Sequence, residues 1–148
     1  MRIDIWSDIV CPFCYVGKRN LEQALAEFEH RDEVDVVWHS FELDPSATEH
    51  PAGSLPEMIA GKYQMSLEQA IASQESLAER AREVGLDFNW RQARYGNTFD
   101  AHRVIHYAAE QGLASAAEEA FKLAYFTQGR SVQDHESILD IASEIGLD

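Results

Sequence analysis

Cationic side chains are scarce: 12 Lys and Arg stand against 26 Asp and Glu, a formal net charge of −14 over 148 residues. A chain that grips phosphates needs Lys and Arg, so this balance argues against nucleic acid and against an anionic membrane surface as partners. Long apolar runs are absent. None approaches the roughly 20 residues that cross a bilayer. Met1-Arg2 leads into a segment interrupted by Asp4 and Asp8, which is not the pattern of a signal peptide. The expected location is therefore cytoplasmic, with no membrane partner. Internal repeats and low-complexity segments are also lacking. Cysteine is scarcest, with two in the whole chain. In a reducing compartment that argues against a permanent structural disulfide and for a redox-cycling or catalytic pair.

The two are Cys11 and Cys14, in Cys11-Pro12-Phe13-Cys14. Two cysteines placed at random in a chain of this length fall three apart only about once in 75. The alternation in Arg2-Ile3-Asp4-Ile5-Trp6 predicts a short strand, Ser7-Asp8 a turn, and the amphipathic run Tyr15 to His30 a helix opened by the cysteines. Residues i and i+3 share a helix face, so the two sulfurs can bond. Cys11 at the helix tip meets unpaired N–H groups and the helix dipole, which stabilise a thiolate and make it the nucleophile. Cys14, one turn deeper, is expected to be more shielded and to resolve. Pro12 suits the first helical position.

Downstream, residues 33–41 read as a second strand with both faces partly covered, ended by Leu43-Asp44-Pro45. Residues 44–56 read as a loop and the one subdomain boundary. The rest reads as helix. Helices are expected from Leu55 to Gln64, from Ser66 (N-cap, with Gln69 as its capping-box partner) to about Val84, and over Asp100–Gln111, Ser115–Gln128 and Asp134–Ile145. Residues 86–90 read as a short extended piece. A strand–helix–strand order predicts a parallel pair.

Four stretches carry a resemblance: Trp6 to Gly17; Phe41-Glu42-Leu43-Asp44-Pro45; Asn97-Thr98-Phe99-Asp100-Ala101-His102-Arg103; and Ala124 to Arg130 with the helix ending Glu144-Ile145-Gly146-Leu147. Together they resemble the DsbA-like thioredoxin superfamily, specifically its cytoplasmic FrnE-like branch. The resemblance implies an α/β, thioredoxin-like (partial) fold with a large all-helical insertion subdomain. Residues 1–45 would be the N-terminal half of the thioredoxin-like domain and residues 46–148 the insertion. Two further strands, a last helix and a cis-proline loop facing the CxxC belong to that pattern. None of the four prolines is placed to be that residue, so the chain reads as a partial member lacking those C-terminal parts. The implied activity is thiol–disulfide exchange or isomerisation, with Cys11 and Cys14 catalytic and their redox-active disulfide as the only reactive group. No metal or other cofactor is needed. The expected surroundings of the active site are Pro12, Phe13, Asn97, Thr98 and His102. The expected partner is a polypeptide or small-molecule thiol/disulfide substrate. An open sheet edge would also permit a homodimer.

Other readings stay beside this one. Kappa-class glutathione transferases and related isomerases resemble the same architecture, typically with Ser at the first cysteine position; the paired cysteines argue against them. A metal- or partner-binding module would need about four ligands. There is no second CxxC, and Arg103 breaks an HExxH pattern around His102 and His106. His106 is expected to face the helical core, and His30, His50 and His135 to be solvated. His39 is a candidate for burial near the thiols. Trp6 is expected in the core, with Phe121, Leu123, Tyr125 and Phe126. For Phe13, core packing and an apolar surface for unfolded polypeptide stay equally open. Glu68, Glu75, Glu79 and Glu83 read as a solvated helix face. Asp8 would raise the thiolate's pKa if close. Phe13 can stabilise a thiolate neither by charge nor by hydrogen bond. The couple is therefore expected to be less oxidising than roughly −120 mV, towards roughly −270 mV.

Overall fold

The computed structural model describes residues 1–48 and 52–147; His50 and Pro51 lie outside the described residues. Strand β1 (Arg2–Ser7) runs parallel to β2 (Asp35–Ser40), in register from Arg2 opposite Asp35 to Ser7 opposite Ser40. Helix α1 (Pro12–Glu27) makes the crossover. Among the described residues these two strands are the sheet. Five helices follow: α2 (Leu55–Tyr63), α3 (Leu67–Glu83), α4 (Phe99–Glu110), α5 (Ala114–Phe126) and α6 (His135–Glu144).

Local chemistry explains the boundaries. Ser66 and Gln69 form the expected capping box at the start of α3, and Ser54 and Glu57 form a second one at the start of α2. Gly85, at φ 78°, follows the C-terminus of α3. Gly129 is needed for two reasons. Its φ is 63°, and a Cβ there would lie 2.8 Å from the Gln92 Cβ.

The packing centre is the helical block and the inner side of α1, where one cluster of buried residues runs across residue 45. Tyr15 of α1 stacks near Phe88 (centroids 6.0 Å apart) and Phe126 (5.6 Å), and Phe88 lies 4.4 Å from Phe126. Phe121, Ala124, Tyr125 and Ile141 complete the enclosure. The extended piece at 86–90 buries Leu86, Phe88 and Trp90 without joining a sheet. Its polar groups pair with the end of α5: the Asn89 amide donates to the Phe126 carbonyl at 2.7 Å, and the Thr127 hydroxyl to the Asp87 carbonyl at 2.7 Å.

Three packing expectations are corrected. Trp6 is 62% exposed rather than core. The strand alternates, so Trp6 shares a face with Arg2 and Asp4, where it stacks on His39 at 4.6 Å. Leu123 is 37% exposed because the buried side of α5 carries Phe121, Lys122, Ala124 and Tyr125. His106 is exposed because the buried stripe of α4 is Ala101, His102, Ile105 and Ala108. Phe121, Tyr125 and Phe126 are core, and Glu68, Glu75, Glu79 and Glu83 are solvated.

Candidate active site

Cys11 is the N-cap of α1, in extended conformation, and Pro12 opens the helix. Its amide donates to the Asp8 carbonyl at 3.4 Å, and its own carbonyl accepts from the Tyr15 amide at 3.3 Å. Both cysteines are half-buried free thiols, so the greater shielding expected of Cys14 is not seen. Phe13 points outward, 62% exposed.

The sulfurs act on one another. The Cys11 thiol donates to Cys14 and is thereby pushed up, with burial adding to the effect; the amides of Cys14 and Phe13 oppose it. Cys14 is pulled down to about 6, first by the hydrogen bond from Cys11, then against burial by the Asp8 backbone, the Ser7 hydroxyl and the Lys122 charge. The two sulfurs thus titrate as one pair joined by a hydrogen bond from Cys11 to Cys14.

Asp8 anchors the loop before the cysteines. It is 2% exposed. Its Oδ1 accepts from the Ile9 amide at 2.7 Å, the Thr98 hydroxyl at 2.9 Å and His102 Nε2 at 3.1 Å. Its Oδ2 accepts from the Leu43 amide at 2.7 Å. Burial raises this carboxyl, but the bonds from His102, Leu43 and Thr98 more than offset that and hold it below the usual carboxylate range. Thr98 and His102 therefore reach the site through Asp8. Asn97 stands one step further out. Its Oδ1 accepts from the Phe99 amide at 2.9 Å and its amide donates to the Thr48 carbonyl at 3.2 Å. It lines an open cleft of about 560 Å³ with Glu42, Pro45, Thr48 and Phe99. His39 pairs instead with Asp4 at 2.7 Å and is no part of this set. His30 and His135 are exposed, against Glu33 and Asp100.

Sequence reasoning missed the pair behind the loop. Glu118 and Lys122 are fully buried on α5 and bonded to each other at 2.6 Å. Their signal was spacing: 118, 121, 122 and 125 form one helical stripe, and Phe121 and Tyr125 on it are core. A second network, also unforeseen, ties α1 to α5. Tyr15 donates to Glu119 at 2.7 Å, Lys18 donates to it at 2.7 Å, and Arg19 grips it bidentately. Among the described residues no three His, Cys, Asp or Glu side chains form a metal cluster. No helix among them is long and apolar enough to cross a membrane.

The arrangement matches known proteins along its whole length. The family model for the DSBA-like thioredoxin domain matches residues 2–148. The crystal structure of a probable DsbA oxidoreductase, SCO1869 from Streptomyces coelicolor, superposes with a TM-score of 0.94 at 46% identity, covering 100% of this chain and 64% of that one. The cytosolic disulfide reductase DsbM from Pseudomonas aeruginosa, solved with GSH, shares the fold at a TM-score of 0.64 and 19% identity, over 99% of this chain and 66% of its own. The uncharacterized protein YwbO of Bacillus subtilis (strain 168) is 28% identical, over 100% of this chain and 68% of its length. The chain thus spans about two thirds of the length of these relatives.

Proposed function

Since the chain belongs to the DsbA-like thioredoxin family, we propose that it is a thiol–disulfide oxidoreductase working through Cys11 and Cys14 in a reducing, cytoplasmic setting. The observation that carries this reading is a CxxC pair of free thiols at a helix N-terminus, Cys11 at the cap of α1 and Cys14 one turn in, hydrogen-bonded to each other. Such a pair is poised to ionise, and the thiolate is the species that attacks a disulfide.

In the reducing direction the proton moves from Cys11 to Cys14, and the Cys11 thiolate attacks one sulfur of a substrate disulfide. The substrate S–S bond breaks, a Cys11–substrate disulfide forms, and the departing thiolate takes up a proton. Cys14, again as thiolate, then attacks the Cys11 sulfur. The Cys11–Cys14 disulfide forms and the second substrate thiol leaves with a proton. Two electrons pass from the pair to the substrate; the reverse sequence oxidises a dithiol. The exposed Phe13 beside Cys11 offers an apolar contact to a polypeptide. Glutathione disulfide is the small substrate to test beside it, because the Pseudomonas relative was solved with GSH.

Insulin-disulfide reduction with dithiothreitol as electron donor tests the reading. Cys11→Ser is expected to abolish turnover, and Cys14→Ser to accumulate mixed disulfides visible by mass spectrometry. Retained turnover in Cys11→Ser would refute it.

A further inference from the structure

The open cleft of about 560 Å³ takes no part in the bond exchange, yet both of its walls are built onto the anchor of the cysteine loop. One wall is the chain leaving β2, with Glu42, Pro45 and Thr48. The other is the start of α4, with Asn97, Phe99 and Asp100. Glu42 directly precedes Leu43, whose amide donates to Asp8 Oδ2 at 2.7 Å. Asn97 and Phe99 flank Thr98, whose hydroxyl donates to Asp8 Oδ1 at 2.9 Å. The Asp8 carbonyl in turn accepts the Cys11 amide at 3.4 Å. The Asn97 amide, donating to the Thr48 carbonyl at 3.2 Å, ties one wall to the other. The cleft is therefore preformed and fixed to the residue three before Cys11. A substrate chain bonded at Cys11 brings its neighbouring residues to this end of the molecule.

The lining discriminates by charge. Glu42 and Asp100 both line the cleft, and no lysine or arginine does among the described residues. Asp100 is occupied: Oδ1 accepts from Arg103 and Oδ2 from His135, each at 2.9 Å. Glu42 is half-buried and has no hydrogen bond or ion pair among the described residues. Lys62 of α2 does not supply one, because Asp44 holds it at 3.1 Å. A carboxylate partly withdrawn from water attracts a cation more strongly than a fully solvated one. Exposed apolar side chains stand beside it, Phe99 on the α4 wall and Phe13 next to Cys11. Each half of glutathione disulfide carries two carboxylates and one ammonium, and the cleft offers no free cation to receive the carboxylates.

We propose that this cleft selects polypeptide disulfides in which lysine or arginine, next to an apolar residue, lies a few residues from the reacting cysteine, and that Glu42 is the residue that reads the positive charge. The proposal names the substrate class of the oxidoreductase reading and rests on it. Glu42 meets the flanking side chain of the substrate and not the reacting sulfurs, so it decides which chain is held and leaves the bond exchange at Cys11 and Cys14 as it is for any disulfide. Selection of this kind weakens as salt screens the charges.

The test compares two peptide disulfides that differ only in whether Lys-Phe or Glu-Phe follows the cysteine, with dithiothreitol as electron donor. Dividing each rate by the uncatalysed exchange with dithiothreitol removes the effect of the flanking charge on the sulfur itself. The lysine peptide is expected to have the higher kcat/KM, by about tenfold at low ionic strength and by much less at about 0.5 M salt. Glutathione disulfide is expected to be the poorer substrate as well. Glu42→Lys should bring the peptide ratio to about one or invert it, and the shape-preserving Glu42→Gln should lower it by a smaller factor. Glu79→Lys, on the solvated face of α3, makes the same change in net charge as Glu42→Lys and should leave the ratio in place. A ratio near one in the unchanged protein overturns the proposal, as does glutathione disulfide turned over as fast as the lysine peptide. A ratio that falls equally in Glu42→Lys and Glu79→Lys also overturns it, because the field of the whole acidic chain then does the selecting. The ratio is taken within each protein, so a variant that merely loses activity does not mimic the expected result. Turnover of both peptides without preference leaves the oxidoreductase reading standing. Turnover of neither, with Cys11→Ser no slower than the unchanged protein, removes that reading and the proposal with it.

Discussion

Phe13 stands in solvent beside two half-buried sulfurs and gives the thiolate nothing but an apolar neighbour. A donor at that position would stabilise the thiolate, hence the reduced form, and a more stable reduced form makes a stronger oxidant. Phe13→His is therefore expected to raise the reduction potential of the pair by some tens of millivolts, about 30 mV for each ~1.4 kcal/mol of added stabilisation. Equilibration in glutathione redox buffers measures it, and an unchanged or lower potential would sink the argument. The cysteines, Pro12 and the exposure-neutral Phe13 were readable because their geometry is local: four consecutive residues at a helix start. The surroundings of the Cys14 sulfur were not: besides Cys11 they include the Asp8 backbone, the Ser7 hydroxyl and the Lys122 charge, and Lys122 lies 108 residues beyond Cys14 in sequence.

At the scale of elements, Asp8 does what no cap or turn motif announces. It binds its own loop, the chain leaving β2 through Leu43, and the start of α4 through Thr98 and His102. Asp8→Ala would leave several buried donors without an acceptor. Each such orphan costs about 1–3 kcal/mol before relaxation. A net loss of about 2–4 kcal/mol is expected, read as a lower urea midpoint at unchanged slope, together with reduced disulfide turnover as the cysteine loop loosens. A loss under about 0.5 kcal/mol would show that Asp8 anchors nothing. Helix starts and stops were legible because they are written in adjacent residues, as in Ser66 with Gln69 and in Gly85. The faces were less so. His106 and Leu123 sit at the edges of apolar stripes, where a shift of one residue decides between core and solvent, and β1 alternation alone does not say which face carries Trp6.

Across the whole molecule, the redox helix and the helical block are held together by charge as well as by aromatic packing. Glu119 on α5 accepts from Tyr15, Lys18 and Arg19 on α1. These partners lie about 100 residues apart, so nothing in the local sequence pairs them, whereas the helices that carry them were each visible. Burial raises the Glu119 carboxyl, but bonds from Arg19, Lys18 and Tyr15 outweigh it and hold the group at about 2. A carboxylate depressed in the folded state contributes stability above its unfolded value, about 4.3, and loses it as pH falls through the folded value. The full depression would correspond to roughly 3 kcal/mol. Solvent screening of a side chain still 29% exposed reduces this to about 1–2 kcal/mol. Glu119→Gln is thus expected to cost about 1–2 kcal/mol at pH 7. The gap from the unchanged protein should hold down to about pH 5 and close progressively between pH 5 and 2. Urea unfolding of both proteins across that range checks it. A gap as wide at pH 3 as at pH 7 would mean that Glu119 holds α1 by shape alone, and that the clamp between the cysteine helix and the helical block is not electrostatic.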